Sequence, residues 1–501
     1  MVLKLITRLI FCGLILNQTV FSEAKQPNIL VFLVDDMGLM DTSLPFITNK
    51  KGEAEKHPLN DFYITPNMER LAKQGIRFSN FYAMSVCSPT RASIMNGQTS
   101  ARHTTTQFIK PESNNAGTYG PQNWKWSGPE QQDVFLPKLL KSNGYQTIFC
   151  GKAHFGPVGS FAEEPTHLGF DINIAGCAYG RPGSYYGKDG FGKSGNRAIP
   201  GLEKYHDQDI FLTEALTLEL KETLTKAVKK DQPFFAYMSH YAVHSPFQSD
   251  PRFAKNYKSD SKSLNSYGTL VEGMDKSLGD LMDHLNTLGV AEDTLIFFLG
   301  DNGSDAPTKN IHGVFSSAPL RGKKGTHYEG GMRVPFITAW GKPNSENKLQ
   351  KTMPISEGRI TQQMGTVYDL VPTILKLTQT ELPTSIKLDG MNLKTHFNHK
   401  SKNIERDFLM HFPHQHRSSY FTVYKKGDWK IIYHYHHKKK DPWNRIELYN
   451  ILEDRDESDN LASKHPEKLK TMFDAMQLSL QQSNAQYPLN LEKSGPLKPH
   501  L

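Results

Sequence analysis

The sequence predicts an α/β fold: a large, mixed but mostly parallel sheet sandwiched by helices, followed by a smaller C-terminal subdomain. Three observations carry this. Short unbroken apolar runs recur, such as Ile29–Val34 and Phe234–Ser239, and a run without polar alternation marks a strand buried on both faces. Helical segments with recognisable starts and stops lie between several of these runs, as in sheets built from crossover units. The chain has 501 residues, 37% of them apolar and 22% charged, which is enough for a sizeable core and unlike a disordered composition. We expect a signal peptide over residues 1–24, a main α/β domain over 25–400 and the C-terminal subdomain over 401–501.

The order of elements follows from local chemistry. Lys4 and Arg8 precede a short apolar run from Leu9 to Leu16, with candidate cleavage sites near Ser22 and Ala24. This is the pattern of an export signal, and the run is too short to span a bilayer. Phe11 before Cys12 argues against lipid anchoring, and no later stretch reads as transmembrane. The protein is expected in the periplasm or secreted.

Ile29–Val34 is the first buried strand, and it ends in Asp35-Asp36. Thr65 caps a helix that has Pro66 in its first turn and stops at Gly75. Ile76 to Tyr82 reads as a strand leading to Cys87. Val134 to Asn143 is helical, and Thr147–Cys150 is a strand ending in Gly151-Lys152-Ala153-His154. Phe234–Ser239 delivers His240 and His244. Helical spacing fills Leu270 to Leu288. Thr294–Leu299 ends in Gly300-Asp301-Asn302-Gly303, and the basic loop Arg321 to Gly325 precedes a strand over Val334–Trp340. Beyond residue 401, two strands flank the turn Lys426-Gly427-Asp428, and His465 to Ser479 is helical.

The stretch Cys87-Ser88-Pro89-Thr90-Arg91 reads as a helix start bearing a nucleophile, with Gly97 as its stop. Cys87 would sit at the positive end of the helix dipole, where anions bind, with Arg91 one turn on.

Several strands thus end in residues that catalysis uses, and in open α/β sheets ligands bind at that edge. Asp35, Asp36, Asp301 and Asn302 form an all-oxygen set suited to Ca²⁺ or Mg²⁺ and ill suited to zinc. Arg91, Lys152, His154, His244 and Lys324 form a cationic cage suited to a tetrahedral oxyanion. By contrast, His240 reads as a satisfied strand-end histidine, Lys323 as solvent-facing, and the run from His434 to Lys440 as a solvated loop. The formal net charge of +8 favours an anionic substrate. No nucleic-acid-binding motif accompanies it. Of the four cysteines, Cys150 and Cys177 read as small buried residues, with their pairing open.

These blocks together resemble the type I, formylglycine-dependent sulfatases of the alkaline phosphatase superfamily, in particular their bacterial polysaccharide-active branch. The resemblance runs from about Pro27 to Ala462. It includes Cys87-x-Pro89-x-Arg91, Gly151-Lys152-Ala153-His154, Gly300-Asp301-Asn302-Gly303, Glu329-Gly330-Gly331 and Glu447-Leu448-Tyr449-Asn450. Ala153 stands where that family often has Trp, and Lys323 where it often has Gly. The resemblance implies that a maturation enzyme, the formylglycine-generating enzyme, oxidises Cys87 to formylglycine (3-oxoalanine). It implies one Ca²⁺, ahead of Mg²⁺, held by Asp35, Asp36, residue 87, Asp301 and Asn302. It assigns attack on sulfur to hydrated residue 87, protonation of the leaving oxygen to His244 assisted by Lys324, and proton removal for sulfate release to His154. Arg91 and Lys152 would hold residue 87 and the sulfate. It also implies a four-stranded antiparallel sheet with one helix at the C-terminal end.

The implied reaction is hydrolysis of sulfate esters on carbohydrates, such as fragments of carrageenan, ulvan, glycosaminoglycans or mucin glycans, with galactose-type esters first. Candidate sugar contacts are Arg102, His103, Arg181, His312 and the segment His411 to His414. Two other readings compete: a phosphate or phosphonate monoesterase of the same superfamily, and an exported glycan-binding protein with a silent site.

Overall fold

The computed structural model describes residues 25–195, 197–307, 316–441 and 444–501. The expected signal segment and His312 lie outside the described residues.

The main sheet has eight strands in the order β5-β4-β6-β1-β7-β8-β2-β9. These are β1 (Asn28–Val34), β2 (Gly75–Phe78), β4 (Gln146–Gly151), β5 (Ile172–Ile174), β6 (Phe234–His240), β7 (Thr294–Gly300), β8 (Phe336–Trp340) and β9 (Arg359–Thr361). Its neighbouring strands pair in parallel except at β8, which runs antiparallel to both β7 and β2. The apolar run of β1 is unbroken because both faces are covered. Leu30, Phe32 and Val34 enter one core, while Ile29, Val31 and Leu33 enter the other. Helices Leu212–Val228 and Lys262–Thr287 contribute apolar faces to the first core.

The expected strand from Ile76 to Tyr82 is broken in two. β2 stops at Phe78, the Ser79 N–H donates to Thr361 O at 2.9 Å, and β3 (Phe81–Tyr82) pairs instead with β10 (Gly365–Thr366). The helix expected from Val134 begins at Leu136, with Pro137 in its first turn, and ends at Ser142.

Register positions the site. Val34 lies opposite both His240 and Gly300, and Gly151 lies opposite Ser239. β1, β6 and β7 therefore finish level and β4 one residue short, so the residues that follow emerge side by side.

The C-terminal part is a four-stranded antiparallel sheet of β11 (Asp407–Phe412), β12 (Phe421–Lys426), β13 (Trp429–His434) and β14 (Ile446–Asn450), with the helix Pro466–Gln482. Phe421, Val423 and Ile432 face the main domain, while Tyr424, Ile431 and Tyr433 pack with Met472, Phe473 and Met476 of the helix. A buried ion network crosses this junction. The Lys430 ammonium lies 2.6 Å from Glu457 Oε1 and 3.1 Å from Glu329 Oε1, and all three side chains are wholly buried. His434 departs from the solvated loop expected of its run. It ends β13, is buried, and has Nε2 3.4 Å from Glu447 Oε1.

Candidate active site

The floor of the site is built by the level strand ends. The Asp35 N–H donates to Ala242 O at 3.0 Å, and the Asp301 N–H donates to Val34 O at 3.0 Å. Asp36 bends away with φ of 58° and donates its N–H to Asp301 Oδ1 at 2.9 Å. A non-glycine residue in the left-handed region costs energy that the surrounding structure must hold, which is common at functional sites. Carboxylate oxygens of Asp35, Asp36 and Asp301 all lie within 4.8 Å of one another, fully buried.

These residues fit a hard cation. Asp35 Oδ1 and Asn302 Oδ1 are buried oxygens without a hydrogen-bond donor, the kind of atom a bound cation satisfies. Burial pushes the Asp35 carboxyl well above its usual pKa despite the Lys152 ammonium beside it, and the neighbouring carboxylates of Asp301 and Asp36 add to this. Crowded carboxylates of this kind are relieved by a metal.

Three cations surround the acids. Arg91 donates from Nε and Nη2 to Asp301 Oδ2 at 3.1 and 2.8 Å, and from Nη1 to Lys152 O at 2.8 Å and Ser239 Oγ at 2.7 Å. Its guanidinium therefore anchors the strand ends. Lys152 Nζ donates to Asp35 Oδ2 at 2.6 Å. Lys324 Nζ lies 2.6 Å from Asp36 Oδ1. Burial works against the Lys324 ammonium, but the Asp36 charge outweighs it and holds its pKa above the ordinary lysine range.

Cys87 opens the helix Cys87–Asn96, which stops on Gly97 in the left-handed region. Its Sγ is 3.4 Å from His154 Nδ1, and His154 Nε2 is 2.6 Å from Ile109 O. A carbonyl only accepts, so Nε2 carries the ring proton and Nδ1 presents its lone pair to residue 87. Burial first, then Lys152, holds the His154 pKa well below the usual histidine value. Burial likewise raises the Cys87 thiol. His244 has the opposite tautomer: Nδ1–H donates to Ser245 O at 2.9 Å, and Nε2 lies 3.6 Å from Asp36 Oδ2. Cys87, His154, His244 and Lys324 line a single cavity of about 200 Å³.

The expected sugar contacts divide. Arg181 lines the cavity. Arg102 does not: its guanidinium is held by both oxygens of Asp389 and by Gln482 O. His103 is buried against Ser93 Oγ at 3.0 Å, and burial pushes its pKa down to about 3. His411 is held by Thr422 and Gln486, and His414 by Thr106 and Ala116. Among the described residues, Cys150 and Cys177 are free and buried.

Sequence reasoning missed Lys110, Arg197, His416 and Arg417, which also line the cavity. It missed Ser239 as a partner of Arg91 and Ile109 as the carbonyl that orients His154. Only Ser239 carried a signal, as the last residue of an apolar strand.

Comparison with known proteins agrees with this geometry. The Sulfatase family profile matches residues 27–380. Human N-acetylgalactosamine-6-sulfatase is 30% identical over 392 residues, covering 74% of this chain and 65% of its own length, so the match spans less than two thirds of that relative. A sulfatase of Formosa agariphila is 27% identical, covering 93% of this chain and 90% of its own. The crystal structure of Ps i-CgsB superposes with a TM-score of 0.70 at 24% identity, covering 92% of this chain and 94% of the other. With the strand ends, the cysteine helix and the profile in agreement, the chain belongs to the sulfatase family.

Proposed function

We propose that the chain hydrolyses sulfate esters of sulfated carbohydrates, using a formylglycine made from Cys87 by a maturation enzyme. The observation that carries this reading is the placing of residue 87 between a neutral base, His154, and a buried three-carboxylate floor. Hydrated formylglycine would supply two hydroxyls on one carbon, one to attack sulfur and one to release sulfate. One Ca²⁺, ahead of Mg²⁺, bound by Asp35, Asp36, Asp301, Asn302 and residue 87, would polarise a sulfate oxygen.

The chain's own residues would do the rest. His154 Nδ1 faces residue 87 with its lone pair and would take a proton there, while its Nε2–H stays on Ile109. Lys324 stays an ammonium at the cavity floor, and His244 presents Nε2 to the same cavity. Lys324 would give the leaving oxygen its proton, and His244 would act as the acid only once Nε2 has itself gained one, since in the neutral tautomer Nε2 accepts. Arg91 and Lys152 would fix the metal-binding carboxylates and add positive charge under the sulfate.

The substrate class rests on names. The human relative is by name an N-acetylgalactosamine-6-sulfatase. Ps i-CgsB was solved in complex with k-i-k-neocarrahexaose, at a TM-score of 0.69. Sulfated glycans, galactose-type first, follow as the proposed class. The mature protein is proposed to act after export; among the described residues no helix is long and apolar enough to cross a membrane.

Mass spectrometry of the peptide spanning residue 87, paired with sulfate release from an aryl sulfate, tests the proposal. Formylglycine with sulfate release supports it. Phosphate release from an aryl phosphate in place of sulfate would move the activity to phosphoryl esters. Unmodified Cys87 in a host that matures other sulfatases would refute the mechanism.

A further inference from the structure

The cavity over residue 87 holds more positive charge than one sulfate needs. Of the residues that line it, Lys110, Arg181, Arg197, Lys324 and Arg417 are cationic and none is a carboxylate. Lys324 is neutralised by Asp36 and Arg417 by Asp305. Among the described residues, no carboxylate pairs with Lys110, Arg181 or Arg197. Their distribution is not that of scattered surface charge. Lys110 follows Ile109, whose carbonyl accepts from His154 Nε2–H and whose N–H donates to Ser88 Oγ at 3.0 Å. Arg181 follows Gly180, which packs so tightly on His154 that a Cβ there would fall 2.5 Å from the ring. Arg197 is tied to the same loop: Gly183 N–H donates to Arg197 O at 2.9 Å, and its guanidinium lies 6.0 Å from the Tyr179 ring centroid. Lys110 and Arg181, both exposed, and Arg197, half-buried, thus bring three cations without a carboxylate partner to one cavity, the first two on segments packed against His154.

We infer that Lys110, Arg181 and Arg197 form a second oxyanion subsite, so that the preferred substrate carries a further anionic group beside the scissile sulfate. This deepens the sulfatase reading and rests on it. The chemistry fits either a second sulfate ester or a uronate carboxylate, and Arg side chains suit both by two-pronged hydrogen bonding. Arg417 and Lys323 share Asp305, which leaves Lys110, Arg181 and Arg197 as the cavity's cations without a carboxylate among the described residues.

The test uses the full-length matured enzyme with three disaccharides: one bearing a single sulfate, its counterpart with a second sulfate on a neighbouring hydroxyl, and its counterpart with a neighbouring uronate. We expect kcat/KM about 10-fold or more higher for one of the dianionic substrates, chiefly through KM, and which one wins identifies the source of the second charge. In the Arg181→Ala/Arg197→Ala double variant, and in Lys110→Ala to a smaller degree, that ratio should fall towards one, with Arg181→Lys restoring part of it. A ratio near one in the wild type, or a ratio unmoved by the substitutions, would overturn the inference and leave only surface charge. Titration calorimetry on the Cys87→Ser protein reads the same preference without turnover. If no disaccharide is desulfated yet the dianionic one still binds about 10-fold tighter, the sulfatase reading fails and the subsite stands. Equal affinities for the mono- and dianionic sugars sink the subsite whatever the activity.

Discussion

Replacing Lys430 by Met should destabilise the protein in a way that depends on pH. The ammonium is the shared counter-ion of two buried carboxylates, Glu457 at 2.6 Å and Glu329 at 3.1 Å. Breaking a buried pair by removing one partner costs about 3–5 kcal/mol, because a charge stays behind without compensation. The burden falls unequally. Burial works against both carboxyls, yet Lys430 and other cations hold Glu329 below its usual pKa, while Glu457 is pushed up to about 7 by burial and the Glu329 charge. In the wild type, folded Glu457 therefore keeps a proton that the unfolded chain releases from about pH 4.5, and its contribution to stability falls as pH rises from there to about 7. Without Lys430 its pKa climbs further and the fall continues. Over the 1.5 pH units from 7 to 8.5 this amounts to about 2 kcal/mol beyond the wild-type change, at about 1.4 kcal/mol per unit. Urea unfolding followed by tryptophan fluorescence at pH 6, 7 and 8.5 measures it, and Lys430→Met/Glu457→Gln should recover most of the loss. A penalty below about 1 kcal/mol at every pH, or one that shrinks as pH rises, would refute the reasoning.

Three further outcomes are expected. Gly180→Ala should lower kcat about 10- to 100-fold with little change in thermal stability, because the new methyl would fall 2.5 Å from the His154 ring and must displace it; circular dichroism and aryl sulfate kinetics separate the two effects. Treatment with a calcium chelator should abolish sulfate release and lower the melting temperature, since Asp35, Asp36 and Asp301 are left facing one another. Ca²⁺ should restore both better than Mg²⁺, and full recovery with Zn²⁺ alone would contradict the all-oxygen ligand set. Asp275→Ala should cost about 2–3 kcal/mol in a urea titration, because this buried carboxylate accepts the N–H groups of Asn67 and Met68 at the start of the helix Pro66–Gln74, at 2.9 and 2.7 Å; a change under 0.5 kcal/mol would show that water replaces it.

What the sequence made legible was the part of the molecule whose signal is local. An apolar run such as Ile29–Val34 announces a strand buried on both faces, and its abrupt end in Asp35-Asp36 announces the sheet edge. The same holds for the helix from Cys87 to Gly97, where the terminal residues carry their own backbone preferences. Contacts set by distant chain were not legible. Arg102 resembles a site arginine until Asp389, nearly three hundred residues on, takes its guanidinium. His416 and Arg417 reach the cavity from the turn between β11 and β12, and nothing in their neighbourhood encodes that placement. The Ile109 carbonyl that selects the His154 tautomer is a backbone atom and has no residue-type signature at all. The antiparallel direction of β8 was equally hidden, since a fully buried strand reads the same either way.

The hydrogen bond from His154 to Ile109 has a consequence for how such an enzyme can change its diet. Lys110 is the next residue along, so the segment that would recognise the sugar also sets which nitrogen of the base bears the proton. Substrate range and reaction rate are then not separable traits. Transplanting this loop from a relative with another preference would move the carbonyl as well as the lysine, and a graft that gained the new sugar could lose the tautomer. Side-chain exchange on an unaltered backbone is the path by which recognition can drift while chemistry is kept.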